Sequence, residues 1–121
     1  MDRTIVHFEV PASDPSRLSQ FYSKLFGWKF EKWGSGDYWM IQTKAKDEDP
    51  GVNGGMTKRT DPNQRQVNYV LVESVDEFSS KIKDLGGKII APKTEVPTMG
   101  YFAIALDPEG NNFGIWEATG Q

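Results

Sequence analysis

The stretch "IVHFEV", residues 5–10, alternates apolar and polar positions and reads as a β-strand. It is followed by "SDPSRLSQFYSKLFG", in which Asp14 is a helix N-cap and Pro15 suits the first helical position. Leu18, Phe21, Tyr22 and Leu25 recur at i, i+3, i+4 and i+7, an apolar stripe that predicts packing on a sheet, and Gly27 stops the helix. "WKFEKW" and "YWMIQT" around the "GSGD" turn predict a hairpin. The polar loop "KAKDEDPG" leads to a short fourth strand in "VNGGMTK".

The same order then recurs. "VNYVLVE" reads as a strand, and Ser74 with Glu77 spells a capping box. Val75, Phe78, Ile82 and Leu85 carry the second helical stripe, which Gly86-Gly87 ends. "KIIAPKT", "YFAIAL" and "NNFGIWEA" are strands, the last two joined by the tight turn "DPEG". A shift of 60 residues superposes Leu18 on Phe78, Tyr22 on Ile82, Leu25 on Leu85 and Gly27 on Gly87. The expected fold class is α+β: two βαβββ modules, about 3–58 and 66–118, within one domain spanning residues 1–121. Together they form one curved, cup-shaped mixed sheet with helices on the outer face.

Strand parity assigns the faces. Val6, Phe8 and Val10 are expected to face the first helix, and Ile5, His7 and Glu9 the opposite, concave side. In the last strand Phe113 and Ile115 go with the helix, leaving Asn112, Gly114 and Trp116 opposite. The 60-residue shift makes Val67 the counterpart of His7, with Tyr69 and Leu71 on the same face.

Composition narrows the function. The 121 residues include 14 basic and 17 acidic side chains, a net charge of −3, and no basic cluster with interleaved aromatics, so nucleic acid is not expected as a partner. Lys58, Arg59 and Arg65 flank a loop and read as a solvated rim rather than an anion site. Apolar runs are far shorter than the ~20 residues that cross a bilayer. Without an apolar leader the expected setting is the cytoplasm, with no membrane partner. There are no cysteines, which removes disulfides, thiolate metal sites and Cys nucleophiles. Fifteen aromatic rings exceed what a core of this size needs, so some are candidates to line a pocket. "DEDPGVNGG" fails as a calcium loop, because Gly51 and Val52 stand where a ligand and a glycine are required. No phosphate-binding loop is present, and any Ser-His-Asp triad would have to use His7, the one histidine.

"VHFEVPASDPSRLSQFYSKLFGW", with "GYFAIALDPEGNNFGIWE", resembles the vicinal oxygen chelate superfamily of glyoxalase I, bleomycin-resistance proteins and extradiol dioxygenases, and within it proteins related to lactoylglutathione lyase. The resemblance implies paired βαβββ modules, frequent homodimers and, in metal-using relatives, a divalent ion held by side chains from four strands. Carried onto this chain, the first ligand position is His7. The second falls on Val67, or on Asn68 with a one-residue slip, and the last-strand glutamate position falls on Gly114. "GVNGGMTK" offers no carboxylate or imidazole for the remaining one. One matching ligand does not hold a divalent ion against water, so no metal or other cofactor is expected. Glu117 shares the parity of Phe113 and Ile115 and is expected to face away.

Three readings of His7 follow: a structural hydrogen-bonding residue, a polar handle for a ligand, or the remnant of a metal site. In the second, His7, Tyr69, Gly114 and Trp116 contact a small, flat or aromatic organic molecule, with Gly114 leaving space where relatives carry the glutamate. The catalytic alternative is a metal-dependent or metal-free lyase or isomerase resembling lactoylglutathione lyase, with His7 as a ligand or, paired with Glu9, as a general base for which the sequence names no electrophilic partner.

Overall fold

The computed structural model describes residues 1–119. The fold is α+β, and the element order is β1 (Ile5–Ala12), α1 (Pro15–Phe26), β2 (Lys29–Lys32), β3 (Tyr38–Gln42), β4 (Gly54–Lys58), β5 (Val67–Leu71), α2 (Val75–Asp84), β6 (Lys88–Val96), β7 (Gly100–Leu106) and β8 (Asn112–Ala118). This is βαβββ twice, as the internal repeat predicts. Contacts divide the chain into two units. One comprises residues 7–66, and the other joins residues 1–6 to the stretch from Val67 onward.

In the unit that starts at His7, β1 runs parallel to β4, β4 antiparallel to β3, and β3 antiparallel to β2. Its core is Val10, Ala12, Ile41 and Met56, with Phe8, Leu18, Trp28, Phe30 and Trp39 packed against it. Parity therefore places Phe8 and Val10 on the helix side as expected. Val6 is 36% exposed, and Ala12, at 1%, is a buried member of the same row. The Asp14 carboxylate caps α1 by accepting from the Arg17 N–H at 3.1 Å. Gly27 ends the helix in the left-handed region at φ 76° and donates its N–H to the Ser23 carbonyl at 2.8 Å. The α1 stripe is only partly used. Leu18 reaches the core and Tyr22 stacks on Trp28 at 5.2 Å, whereas Phe21 and Leu25 are 57% and 56% exposed.

The second unit repeats the topology: β5 is parallel to β8, β8 antiparallel to β7, and β7 antiparallel to β6. Val72, Val75, Ala103 and Ile115 form its core, with Val70, Phe78, Ile82, Tyr101 and Phe113 around them. Half of the predicted capping box forms: Ser74 accepts from the Glu77 N–H at 3.1 Å, while the Glu77 carboxylate turns outward to Lys81 at 3.0 Å. The second cap comes from a distant strand, with Glu117 Oε1 accepting from the Val75 N–H at 2.8 Å. The left-handed residue after α2 is Gly86, at φ 93°, rather than Gly87. Leu85 closes the helix and is 79% exposed, so it does not extend the stripe inward. The strand β6 breaks register twice, once across Pro92, which has no N–H to donate.

Candidate functional site

His7 and Glu9 lie on the face of the first unit's sheet that points away from α1. The register fixes their neighbours. Glu9 pairs with Gly55 and Pro11 with Thr57 across β1–β4, while Tyr38 pairs with Thr57 and Met40 with Gly55 across β3–β4. Paired residues share a face, so His7, Glu9, Tyr38, Met40, Gly55 and Thr57 are on one side, and Val10, Trp39, Ile41 and Met56 on the other.

At the centre, His7 Nε2 and the Tyr38 hydroxyl lie 3.1 Å apart. Burial pushes the imidazole below its ordinary pKa of 6.5, so the ring is neutral at pH 7, with one nitrogen to donate and one to accept. The Tyr38 phenol moves the other way. Burial raises it first, and the Glu9 carboxylate nearby raises it further. A half-buried phenol beside a carboxylate keeps its proton and remains a hydrogen-bond donor.

Gly55 makes this geometry possible. A Cβ built there would run into the Tyr38 hydroxyl, so the ring lies directly over the β4 backbone. Thr57 Oγ1, on the same face, is buried with no hydrogen-bond partner. The Trp33 indole stands edge-on to the Tyr38 ring, with centroids 6.3 Å apart, and is 43% exposed. Its backbone N–H donates to the Tyr38 carbonyl at 3.0 Å, closing the β2–β3 turn. Neither Tyr38, Trp33 nor Thr57 stands out in the sequence. The available signal was the alternation of Tyr38 and Met40 against Trp39 and Ile41, but it names the face only once the β3–β4 register is known.

In the second unit, Tyr69 pairs with Gly114 and Leu71 with Trp116, while Trp116 pairs with Phe102 on its other side. These residues lie opposite the core row, as their parity predicts. Gly114 does not leave open space, however. A Cβ there would meet the ring of Tyr69, which is 5% exposed and stands edge-on to Phe102 at 6.1 Å. The chain's own tyrosine fills the gap. Glu117 faces away as expected, and capping α2 is what it does.

Val67 is apolar and 7% exposed. On β4 the positions on the His7 face are Gly55 and Thr57, and Gly114 lies under Tyr69. Among the described residues, no three of His, Cys, Asp and Glu come together closely enough to hold an ion. Donors of this chemistry do not fit a divalent cation. No described helix is long and apolar enough to cross a membrane.

Comparison with known proteins places the chain. It is 26% identical over 121 residues to CFP32 of Mycobacterium bovis, a protein named as a candidate glyoxylase. The match takes in 92% of this chain and 44% of that protein, so the chain spans less than half the length of that relative. A glyoxylase-like domain-containing protein of Didymella fabae is 28% identical, with 93% and 92% covered. Methylmalonyl-CoA epimerase of Mycobacterium tuberculosis shares the fold at a TM-score of 0.70 with 9% identity, covering 96% of this chain and 88% of the other. The model of the glyoxalase/bleomycin resistance protein/dioxygenase superfamily matches residues 4–115, and the chain belongs to that superfamily.

Proposed function

We propose that this protein binds a small organic molecule, flat or aromatic, without the metal site of its metal-using relatives. The observation that carries this reading is the His7–Tyr38 pair beside Glu9, on a sheet face not used for packing α1. A few placed polar groups among rings are what such sites consist of. His7 is the polar handle, and Trp33 and Tyr38 supply ring surface. Tyr69, Gly114 and Trp116 belong to the other unit, where the Tyr69 ring fills the space over Gly114.

His7 is the single histidine, so its ring protons give one unambiguous NMR signal against which a library of planar compounds is titrated. Ligands that shift it should bind more weakly to His7→Ala and to Trp33→Ala. Unchanged affinity in both variants would sink the reading. Elemental analysis of untagged protein should find no stoichiometric divalent metal, and a metal that disappears in His7→Ala would overturn that part.

The structure also favours one catalytic reading. The sequence offered His7 and Glu9 as a base without an electrophilic partner, and the Tyr38 hydroxyl beside His7 is such a partner. In this reading the protein is a metal-free lyase or isomerase, and solvent-deuterium exchange into an enolisable ketone is lost in His7→Gln. A cytoplasmic homodimer completes the proposal, supported by Phe21, Leu25 and Phe26 at 56–59% exposure on α1. A monomer in sedimentation at micromolar concentration would contradict it.

A further inference from the structure

We infer that the Tyr38 hydroxyl is the specificity-determining contact of this site, and that it selects an uncharged planar ligand bearing a carbonyl oxygen over the corresponding carboxylate or hydrocarbon. The inference rests on the reading that this face binds a small organic molecule.

Each group on the face offers something different. The Glu9 carboxylate accepts hydrogen bonds and brings negative charge. Neutral His7 donates from one nitrogen and accepts on the other. If Nε2 carries the proton, it donates to the Tyr38 oxygen 3.1 Å away and leaves the phenol hydrogen for a ligand. Gly55, with no side chain of its own, lets the phenol extend over the β4 backbone, so the donor stands above the strand rather than beside it. A ligand oxygen that meets it must be an acceptor.

Charge narrows the class. A ligand carboxylate would approach a face already carrying Glu9. The residue beside Met40 on β2 is a second acid, Glu31, and Lys29 lies one pair further out, beside Gln42 at the exposed edge. Lys32 is on the other face, over Trp39 at 5.8 Å. Like charges at close range in a partly buried setting repel strongly enough to exclude a carboxylate that a cationic site would welcome. The Trp33 indole, edge-on to Tyr38 and exposed, gives a planar ligand a ring to lie against.

The test uses three probes of one shape: 2-acetylnaphthalene, 2-ethylnaphthalene and 2-naphthoate. Affinities come from titrating the His7 ring signal and the Trp33 indole N–H signal. The ketone should bind about fivefold tighter than the hydrocarbon, the worth of one net hydrogen bond. It should bind at least about tenfold tighter than the carboxylate. Tyr38→Phe keeps the ring and should bring the ketone down to the hydrocarbon's affinity, with the hydrocarbon itself unchanged. Trp33→Ala should weaken the ketone and the hydrocarbon by the same factor and preserve their ranking. A ketone preference that survives in folded Tyr38→Phe overturns the inference, as does naphthoate binding as tightly as the ketone. Equal binding of all three defeats the inference and leaves the small-molecule reading standing. If no probe shifts the His7 signal, that reading of this face falls, and the inference with it.

Discussion

Two sets of four strands with the same topology and almost the same register carry different chemistry on the face away from their own helix. Glu9 pairs with Gly55 in one unit, and Tyr69 pairs with Gly114 in the other, the shift between them being 60 residues on one strand and 59 on its partner. In both, a tyrosine occupies the space where a side chain on the glycine would stand. The tyrosines differ in origin and freedom. Tyr69 comes from the strand paired with its glycine, is 5% exposed, and abuts Phe102. Tyr38 reaches in from the neighbouring strand, is half-buried, and ends in a hydroxyl hydrogen-bonded to His7. One glycine admits a packed ring and the other a half-buried polar group. A shared backbone frame thus leaves function to be decided by which side chain leans over the gap.

Substitution of the two glycines should separate the two tyrosines most clearly. Gly114→Ala drives a methyl into a ring with little room to retreat and should cost about 2–3 kcal/mol in urea denaturation. Gly55→Ala meets the hydroxyl end of a ring that is only half-buried, so it should cost less than Gly114→Ala, yet displace the His7 NMR signal as the Tyr38 contact is lost. Equal stability losses would mean that the two tyrosines are equally fixed.

The helix starts contrast next. Glu117→Ala leaves the N–H of fully buried Val75 without its acceptor, for an expected loss of about 1–3 kcal/mol. Asp14→Ala uncaps an exposed end and should cost about 1 kcal/mol. A smaller loss at Glu117 than at Asp14 would show that water reaches the Val75 N–H. On the first unit's polar face, Thr57→Val replaces an unpaired buried hydroxyl by a methyl and should raise stability by about 1 kcal/mol. A loss would mean that the hydroxyl finds a partner in solution.

The smallest effect expected is a pH dependence. Burial holds His7 below 6.5 in the folded state, so the unfolded chain binds the proton more readily. The stability owed to neutral His7 is present above 6.5 and is lost as pH falls below it towards the folded-state value. Urea midpoints at about pH 7.5 and pH 5.5 should therefore differ more in the wild type than in His7→Gln. Identical differences would place the imidazole in a solvated environment.

Much of this architecture is legible along the chain because its causes are local. Asp14, Pro15 and Gly27 bound α1 through their own backbone chemistry, and Ser74 starts α2 the same way. Alternation assigned His7, Glu9, Tyr69 and Trp116 to the faces they occupy, and turned Glu117 away from them. The misplaced expectations depended on partners far off in sequence. Phe21 and Leu25 have the right spacing for a buried stripe, but they are 57% and 56% exposed, and nothing local says which part of the stripe the sheet will cover. Gly114 reads as open space until the Tyr69 ring is placed over it.

The candidate site follows the same division. Residue type and period were enough for two βαβββ units, their helix ends and the inward and outward rows of each strand, because torsional preference and a two-residue repeat act over a few bonds. That Tyr38 meets His7 across 31 residues, that Gly55 opens the way for it, and that Thr57 is left unpaired beside them depended on register between strands separated by loops. Register is set by the packing of the whole unit, in which a one-residue slip exchanges the two faces, and no short stretch of chain carries that information.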